Sequence, residues 1–536
     1  MNRFFNYTTS ACTDLHSMSV FAFDPSISSL KEVLMYELQH IAYYITKISE
    51  LEVDTDEIRN RLIKFIAKVV VNLDFKRETL NVIIEDLKDE KRKLEEQYIK
   101  VSEDMGLPYQ TLKTNPILDT EKMDVITAIN QGERQSLLKN LNLSKSKKNL
   151  YDIMMNLVKN TALYLVEVEN YDKPYIEGEQ AVLRLLNATN FMTASEEKLK
   201  NKIYEFSKYS RQAMVLIKKN IIEKYGPIVL SEVDLSIKPG KSILVSGHFF
   251  PDLELVLDAV KDTDINVYTH SEMLVAHSLE KFQHNRNLVG HYQHSINSLQ
   301  LDFASFPGAI LVTKNSQPNV DIIRGRVYSL DPNPAFGMTR INESDINSLI
   351  DIANNSKGFL RDTPAEKIKV GFDKKQVDEK LEGIISKIKN GDIKHLFMID
   401  LVNSNINTLN YIKRLLEIIP QDTYAISLTQ TEDRDNVWFV NSYAGIFIFN
   451  YIIEKLEKEF DMEKLKFIVF LTQCNYDLIS HLATLHGYNI TKPYLCNYCP
   501  SLISPSLIEG LKEVYGLNII TQSPEYDLKN ILSDEN

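Results

Sequence analysis

The chain has 536 residues, 44% of them hydrophobic, enough for roughly two to four domains with ordinary cores. Its net charge of −12 argues against a general nucleic-acid binder, which needs a cationic face to displace counterions. Four cysteines (Cys12, Cys474, Cys496, Cys499) are too few for a disulfide scaffold, and too few for two all-thiolate iron–sulfur clusters at about four thiolates each. The longest apolar runs, such as Phe467–Leu471, have strand length and fall well short of the ~20 residues that cross a bilayer, so no membrane association is expected. Met1–His16 has no basic stretch followed by an apolar core, so no secretory signal is expected and the cytoplasm is the default compartment.

The first part of the chain reads as helices. Leu30, Leu34, Leu38, Ile41 and Ile45 recur at spacings of three and four, as do Ile58, Leu62, Phe65 and Val69, and then Leu80, Ile84 and Leu87. The charged run Lys88–Glu96 that follows reads as a solvated helix face rather than a binding patch. Helical spacing returns at Leu150, Ile153 and Leu157, near Ala181–Leu186, and from Glu196 to Tyr225, where Gly226-Pro227 stops it. Short β-branched strands alternating with helices then take over. They are expected at Ile243–Val245, Ile265–Tyr268, Ala309–Thr313, Lys367–Val370, Leu396–Ile399, Tyr424–Leu428, Lys466–Leu471 and Leu517–Thr521. The expected plan is multidomain α + α/β: a helical-bundle domain (1–225), a Rossmann-like domain (226–362) and a second Rossmann-like domain (363–536), both doubly wound with mostly parallel sheets.

Two phrases carry the chemistry: Ser246-Gly247-His248, and Tyr268-Thr269-His270-Ser271-Glu272-Met273-Leu274. Each follows an apolar run and precedes a helical pattern, which places His248 and Glu272 at the carboxyl ends of adjacent strands, where ligands of open α/β sheets collect. The stretch resembles the hybrid cluster protein family, the prismane or hydroxylamine-reductase proteins. Asp252-Leu253-Glu254, Gly290-His291-Tyr292 and Phe306-Pro307-Gly308-Ala309-Ile310 extend the likeness, which covers nearly the whole chain. It implies a helical domain followed by two Rossmann-like domains, the same plan that the periodicity gives. It also implies that His248 and Glu272 occupy ligand positions of an iron–sulfur–oxygen cluster.

The other ligand positions differ. Of four N-terminal cysteines that hold the family's conventional cluster, Cys12 matches one, and Phe21 falls where the last belongs. At the hybrid cluster, Ser316, Val402 and Gln430 stand where the resemblance implies cysteines, and another cysteine falls near Phe439. Gln473-Cys474-Asn475 stands where it implies Glu-Gln-Lys. Valine and phenylalanine have no donor atom, and serine or glutamine is a poor substitute for a soft thiolate. The expectation is a family homologue without either cluster and without a cofactor, a pseudoenzyme with a structural, scaffold or protein-binding role beside a partner or paralogue. The vacated cavity would be filled by Phe439 and Phe21.

Two alternatives stand beside this. One is an oxidoreductase or mononuclear metalloenzyme holding a single Fe or Zn ion through His248 and Glu272. Six histidines between 248 and 294 (His248, His270, His277, His284, His291, His294) could add nitrogen donors, although the first two after His248 are positions shared with the family and the rest fall in a loop-rich, exposed stretch. The other is a small-molecule sensor using the interdomain crevice. Cys496-Asn497-Tyr498-Cys499 lacks the second ligand pair of a structural zinc site and reads as two unpaired thiols. Lys238-Pro239-Gly240-Lys241-Ser242 precedes its strand rather than following one, so it is no P-loop.

Overall fold

A computed structural model describes residues 25–71, 77–112, 126–127, 130, 143–190, 194–293, 299–314, 316, 325–331, 334, 337–364, 366–400, 406–429, 431–440, 443, 445–472, 478–496 and 505–533. Helices Pro25–Glu50, Asp56–Val71, Arg77–Asp104, Lys145–Tyr171, Ile176–Ala188 and Glu196–Tyr225 come first. The stripe Leu30, Leu34, Leu38, Ile41 and Ile45 is buried throughout, each such side chain contributing roughly 1.5–3 kcal/mol. Ser144 and Ser195 cap their helices by accepting from Lys147 N and Lys198 N, and Gly226, at φ 85°, ends the last one.

The charged run departs from its expected solvated face at Lys88, which is buried and paired with Glu85, and at Lys91. Lys91 lies two turns beyond Ile84 on the buried side of its helix, and its ammonium pairs with buried Glu37 at 2.5 Å. The apolar stripe continues through Lys91 to Leu94 and Tyr98, so the lysine goes inward with its counter-ion.

The first sheet has the order β4-β3-β2-β5-β6-β7, built from β2 Ser242–Ser246, β3 Asn266–His270, β4 Leu288–His291, β5 Ala309–Val312, β6 Val327–Ser329 and β7 Met338–Arg340. The second has the order β11-β10-β9-β12-β13-β14, from β9 His395–Ile399, β10 Thr423–Ser427, β11 Val437–Phe439, β12 Phe467–Leu471, β13 Pro493–Leu495 and β14 Asn518–Ile519. All ten pairings are parallel. In its own chain order each sheet runs 3-2-1-4-5-6, the doubly wound order of dinucleotide-binding folds. The expected α + α/β plan is therefore what the chain adopts.

One expected strand belongs elsewhere. Lys367–Val370 (β8) pairs antiparallel with Ser231–Asp234 (β1) in a separate two-stranded sheet. Its alternation of exposed and buried residues is the pattern of a strand with one wet face, not of a buried parallel one.

The Glu196–Tyr225 helix docks onto the second α/β unit. Arg211 lies 3.8 Å over the Tyr488 ring and donates to Gly487 O and Glu457, while Tyr204 stacks on His486 and donates to Val514 O. Among the described residues no helix is long and apolar enough to cross a membrane.

Candidate functional site

Strand order reverses between β2 and β5, and the candidate residues gather outside the carboxyl ends of these two strands. β2 leaves the sheet through Gly247, at φ 134°, into the Phe250–Val260 helix. No side chain fits there, because a Cβ would lie 2.0 Å from Thr313 Oγ1 and 2.6 Å from Ser316 Oγ. Thr313 is the residue after β5. Its hydroxyl accepts from the amides of His248 (3.2 Å) and Phe249 (3.4 Å), and its own amide donates to Ser246 O.

Ser316 Oγ lies 3.2 Å from Thr313 Oγ1 and 3.0 Å from His248 Nδ1, so the three side chains form one hydrogen-bonded run. Burial holds His248 neutral, with its pKa lowered to about 3. Beside this, buried Asp252 accepts from Lys314 N at 2.7 Å, and burial, opposed by Lys314, pushes its carboxyl up to about 7.

The end of β3 is built differently. Ser246 pairs in register with His270, so His248 and Glu272 each lie two residues beyond the same rung. His270 accepts from Ser246 Oγ at Nδ1 (2.8 Å) and faces Asp302 Oδ2 with Nε2 (3.4 Å). Thr269 Oγ1 lies between His277 Nε2 (2.9 Å) and His291 Nδ1 (2.8 Å). The backbone carbonyl of Gly290 also accepts from His277, and Gln293 Oε1 lies 3.1 Å from His291 Nε2. Burial lowers the pKa of His270, His277 (to about 4) and His291 (to about 3). Ser271 follows at φ 62°, in the left-handed region that suits glycine, and Glu272 opens the Ser271–Ser278 3₁₀ helix, half-buried.

Of the histidines expected as extra donors, His270, His277 and His291 are occupied by this network, His284 is exposed, and His294 lies outside the described residues. His291 corrects the expectation of an exposed segment: it is buried on β4, a strand too short to show in the apolar pattern. Among the described residues no group of three or more His, Cys, Asp or Glu side chains is arranged to hold a metal ion. Phe439 corrects another expectation. It lies half-buried on edge strand β11, two strands from the switch point between β9 and β12, rather than in a central cavity. Cys12, Phe21, Val402, Gln430, Gln473, Cys474, Asn475 and Cys499 lie outside the described residues. Sequence reasoning missed the bridging roles of Thr313 and Asp302, which no local pattern marks.

The family model that matches residues 11–428 is described as Prismane/CO dehydrogenase family. The chain is 24% identical over 529 residues to a hydroxylamine reductase of Zymomonas mobilis, covering 95% of each, and 25% identical over 548 residues to one of Thermodesulfovibrio yellowstonii, covering 98% of each. Among solved structures it is similar to the alpha subunit of acetyl-CoA synthase/carbon monoxide dehydrogenase with NiZn[Fe4S4] and NiNi[Fe4S4] clusters. The TM-score is 0.49 at 11% identity, covering 96% of this chain and 83% of that one.

The family match overturns the expectation of a chain without a cofactor, because this is a family of iron–sulfur proteins. The described donors nevertheless do not fit a thiolate-held cluster. The switch point offers an imidazole, two hydroxyls and the Glu272 carboxylate. Cys496, the one cysteine among the described residues, sits in an apolar cluster where burial, then Asp400 and Asp527, raises its thiol pKa far from the thiolate form. The chain belongs to the Prismane/CO dehydrogenase family.

Proposed function

We propose that this chain is a non-catalytic member of the hydroxylamine reductase family that acts by binding a protein partner or paralogue. The observation that carries the reading is the closed chain Thr313–Ser316–His248 at the switch point. Ser316 places a hydroxyl where the resemblance implies a thiolate, and that hydroxyl is engaged with His248 Nδ1 at 3.0 Å. The reading concerns turnover at this site, not cofactor content, which family membership leaves as iron–sulfur. The mononuclear alternative loses support because three of its candidate nitrogen donors are already spent on hydrogen bonds.

The test is an anaerobic assay of hydroxylamine reduction to ammonia with reduced methyl viologen, on protein supplied with iron and sulfide. The expected result is no ammonia above a protein-free control. Turnover that disappears in His248→Ala would sink the proposal.

A further inference from the structure

Three segments far apart in sequence converge on the turn that carries Glu272. The linker leaving the helical bundle pairs along that turn: Val229 N donates to Ser278 O at 2.8 Å, and Ile228 bridges Leu279. It continues as β1, whose partner β8 belongs to the linker between the two sheets. The two linkers remain zipped beyond the strands. Leu235 N donates to Glu366 O, Ile237 N to Thr363 Oγ1, and Gly240 and Phe359 exchange both of their backbone hydrogen bonds. Tyr443, from the second α/β unit, extends the ladder by donating to Lys369 O and accepting from Gly371 N.

Leu274, two residues beyond Glu272, fills the space under this ladder. It forms a buried cluster with Val233 and Val370, against which Ile368 and Tyr443 pack. Gly371 closes the joint: a Cβ there would lie 2.1 Å from Val229 O and 2.6 Å from Ser278 Cβ.

We propose that this zipped linker ladder, in contact with Leu274, couples the position of Glu272 to the arrangement of the two sheets. A rotation of one sheet against the other must move β8 and Tyr443 together. Because Val370 and Tyr443 share a cluster with Leu274, it must then move the turn as well. The strained backbone at Ser271 sits at the other end of the same short helix, so displacement of the turn is absorbed beside Glu272. This inference is independent of whether the chain turns over hydroxylamine.

Hydrogen exchange read by mass spectrometry on the full chain tests the proposal with two variants, Leu274→Ala in the turn and Val370→Ala in the linker. Coupling is reciprocal. Leu274→Ala should speed exchange at least tenfold in peptides 229–235 and 366–371, and Val370→Ala should do the same for peptide 270–279. Leu349→Ala, at an equally buried leucine in the same α/β unit, controls for general destabilisation and should leave those peptides' relative protection unchanged. Should Leu274→Ala not fold, Val370→Ala carries the test alone. Faster exchange confined to each variant's own segment, or the same pattern in Leu349→Ala, overturns the proposal.

Discussion

The two sheets share one strand order and differ in what closes their switch points. Outside β2 and β5, side chains do much of the closing: Thr313, Ser316 and His248 are linked in one run, with the amides of His248 and Phe249, just before the following helix, drawn in. Outside β9 and β12, the described residues show a backbone and a side-chain hydrogen bond. Asp400 N donates to Phe470 O, and Thr429 Oγ1 donates back to Asp400 O at 2.6 Å. Topology therefore makes the crevice twice, and the residues at the strand ends decide what each crevice can hold.

The largest expected effect breaks the first closure outright. Gly247→Ala puts a Cβ 2.0 Å from Thr313 Oγ1 at a backbone angle that side chains rarely adopt. A cost of about 4 kcal/mol or more is expected, seen as a large fall in Tm or loss of folded protein. Gly391, also at positive φ but with nothing within 4 Å, is the contrast. Gly391→Ala in the second unit should cost only about 1 kcal/mol. Equal losses at the two glycines would show that crowding at the first switch point is not what distinguishes the sheets.

Acid should separate the sheets next. His248, His277 and His291 in the first unit have folded pKa values lowered to between about 3 and 4, below the unfolded value of 6.5. Their contribution is fully present above 6.5 and is lost as pH falls toward the folded values, because only the unfolded state binds protons in that window. By linkage each costs roughly 2 kcal/mol of stability at pH 5. Asp252 opposes them: its carboxyl, raised to about 7, favours the folded state as pH falls. The second unit has His481, lowered to about 4 by burial. Hydrogen exchange at pH 5 should therefore loosen β2–β5 before β9–β12, and simultaneous loosening would count against the assignment.

A milder change tests the linked run. Thr313→Val keeps the shape of the residue but removes the acceptor for two amides and a hydroxyl partner of Ser316. A loss of about 1–3 kcal/mol is expected, against about 1 kcal/mol for the hydrogen bond to Asp400 O that Thr429→Val removes in the second sheet. With Thr313 gone, Ser316 loses one of its two side-chain partners, and the nitrogen-15 resonances of His248 should shift. Unchanged resonances would contradict the linked run Thr313–Ser316–His248.

The helical stripe Leu30–Ile45, the eight expected strands and the carboxyl-end placement of His248 and Glu272 were all legible, because periodicity and apolar runs report burial directly. Strands β1, β4, β6, β7, β11 and β13, three or four residues long, were not. Lys91 was misread because charge implies solvent unless the partner, here Glu37 on another helix, is known. The closure of the switch point was illegible for the same reason. Ser316 and Thr313 lie 68 and 65 residues beyond His248, and only the β2–β5 pairing brings them to it.

The smallest effect bears on Glu272 itself. Ser271, the residue before Glu272, adopts φ 62°. A left-handed backbone costs a serine about 1 kcal/mol, and a glycine at the same position avoids that cost while adding freedom to the unfolded chain. Ser271→Gly should therefore stabilise the protein by a few tenths to about 1 kcal/mol, a small rise in Tm with the His270 and Thr269 hydrogen bonds intact. The gain is small because the two terms partly cancel, and its sign carries the information. A loss of stability on Ser271→Gly would mean that the serine side chain, not the strand register, holds the turn in place, and that the strain beside Glu272 is offset by a contact of its own.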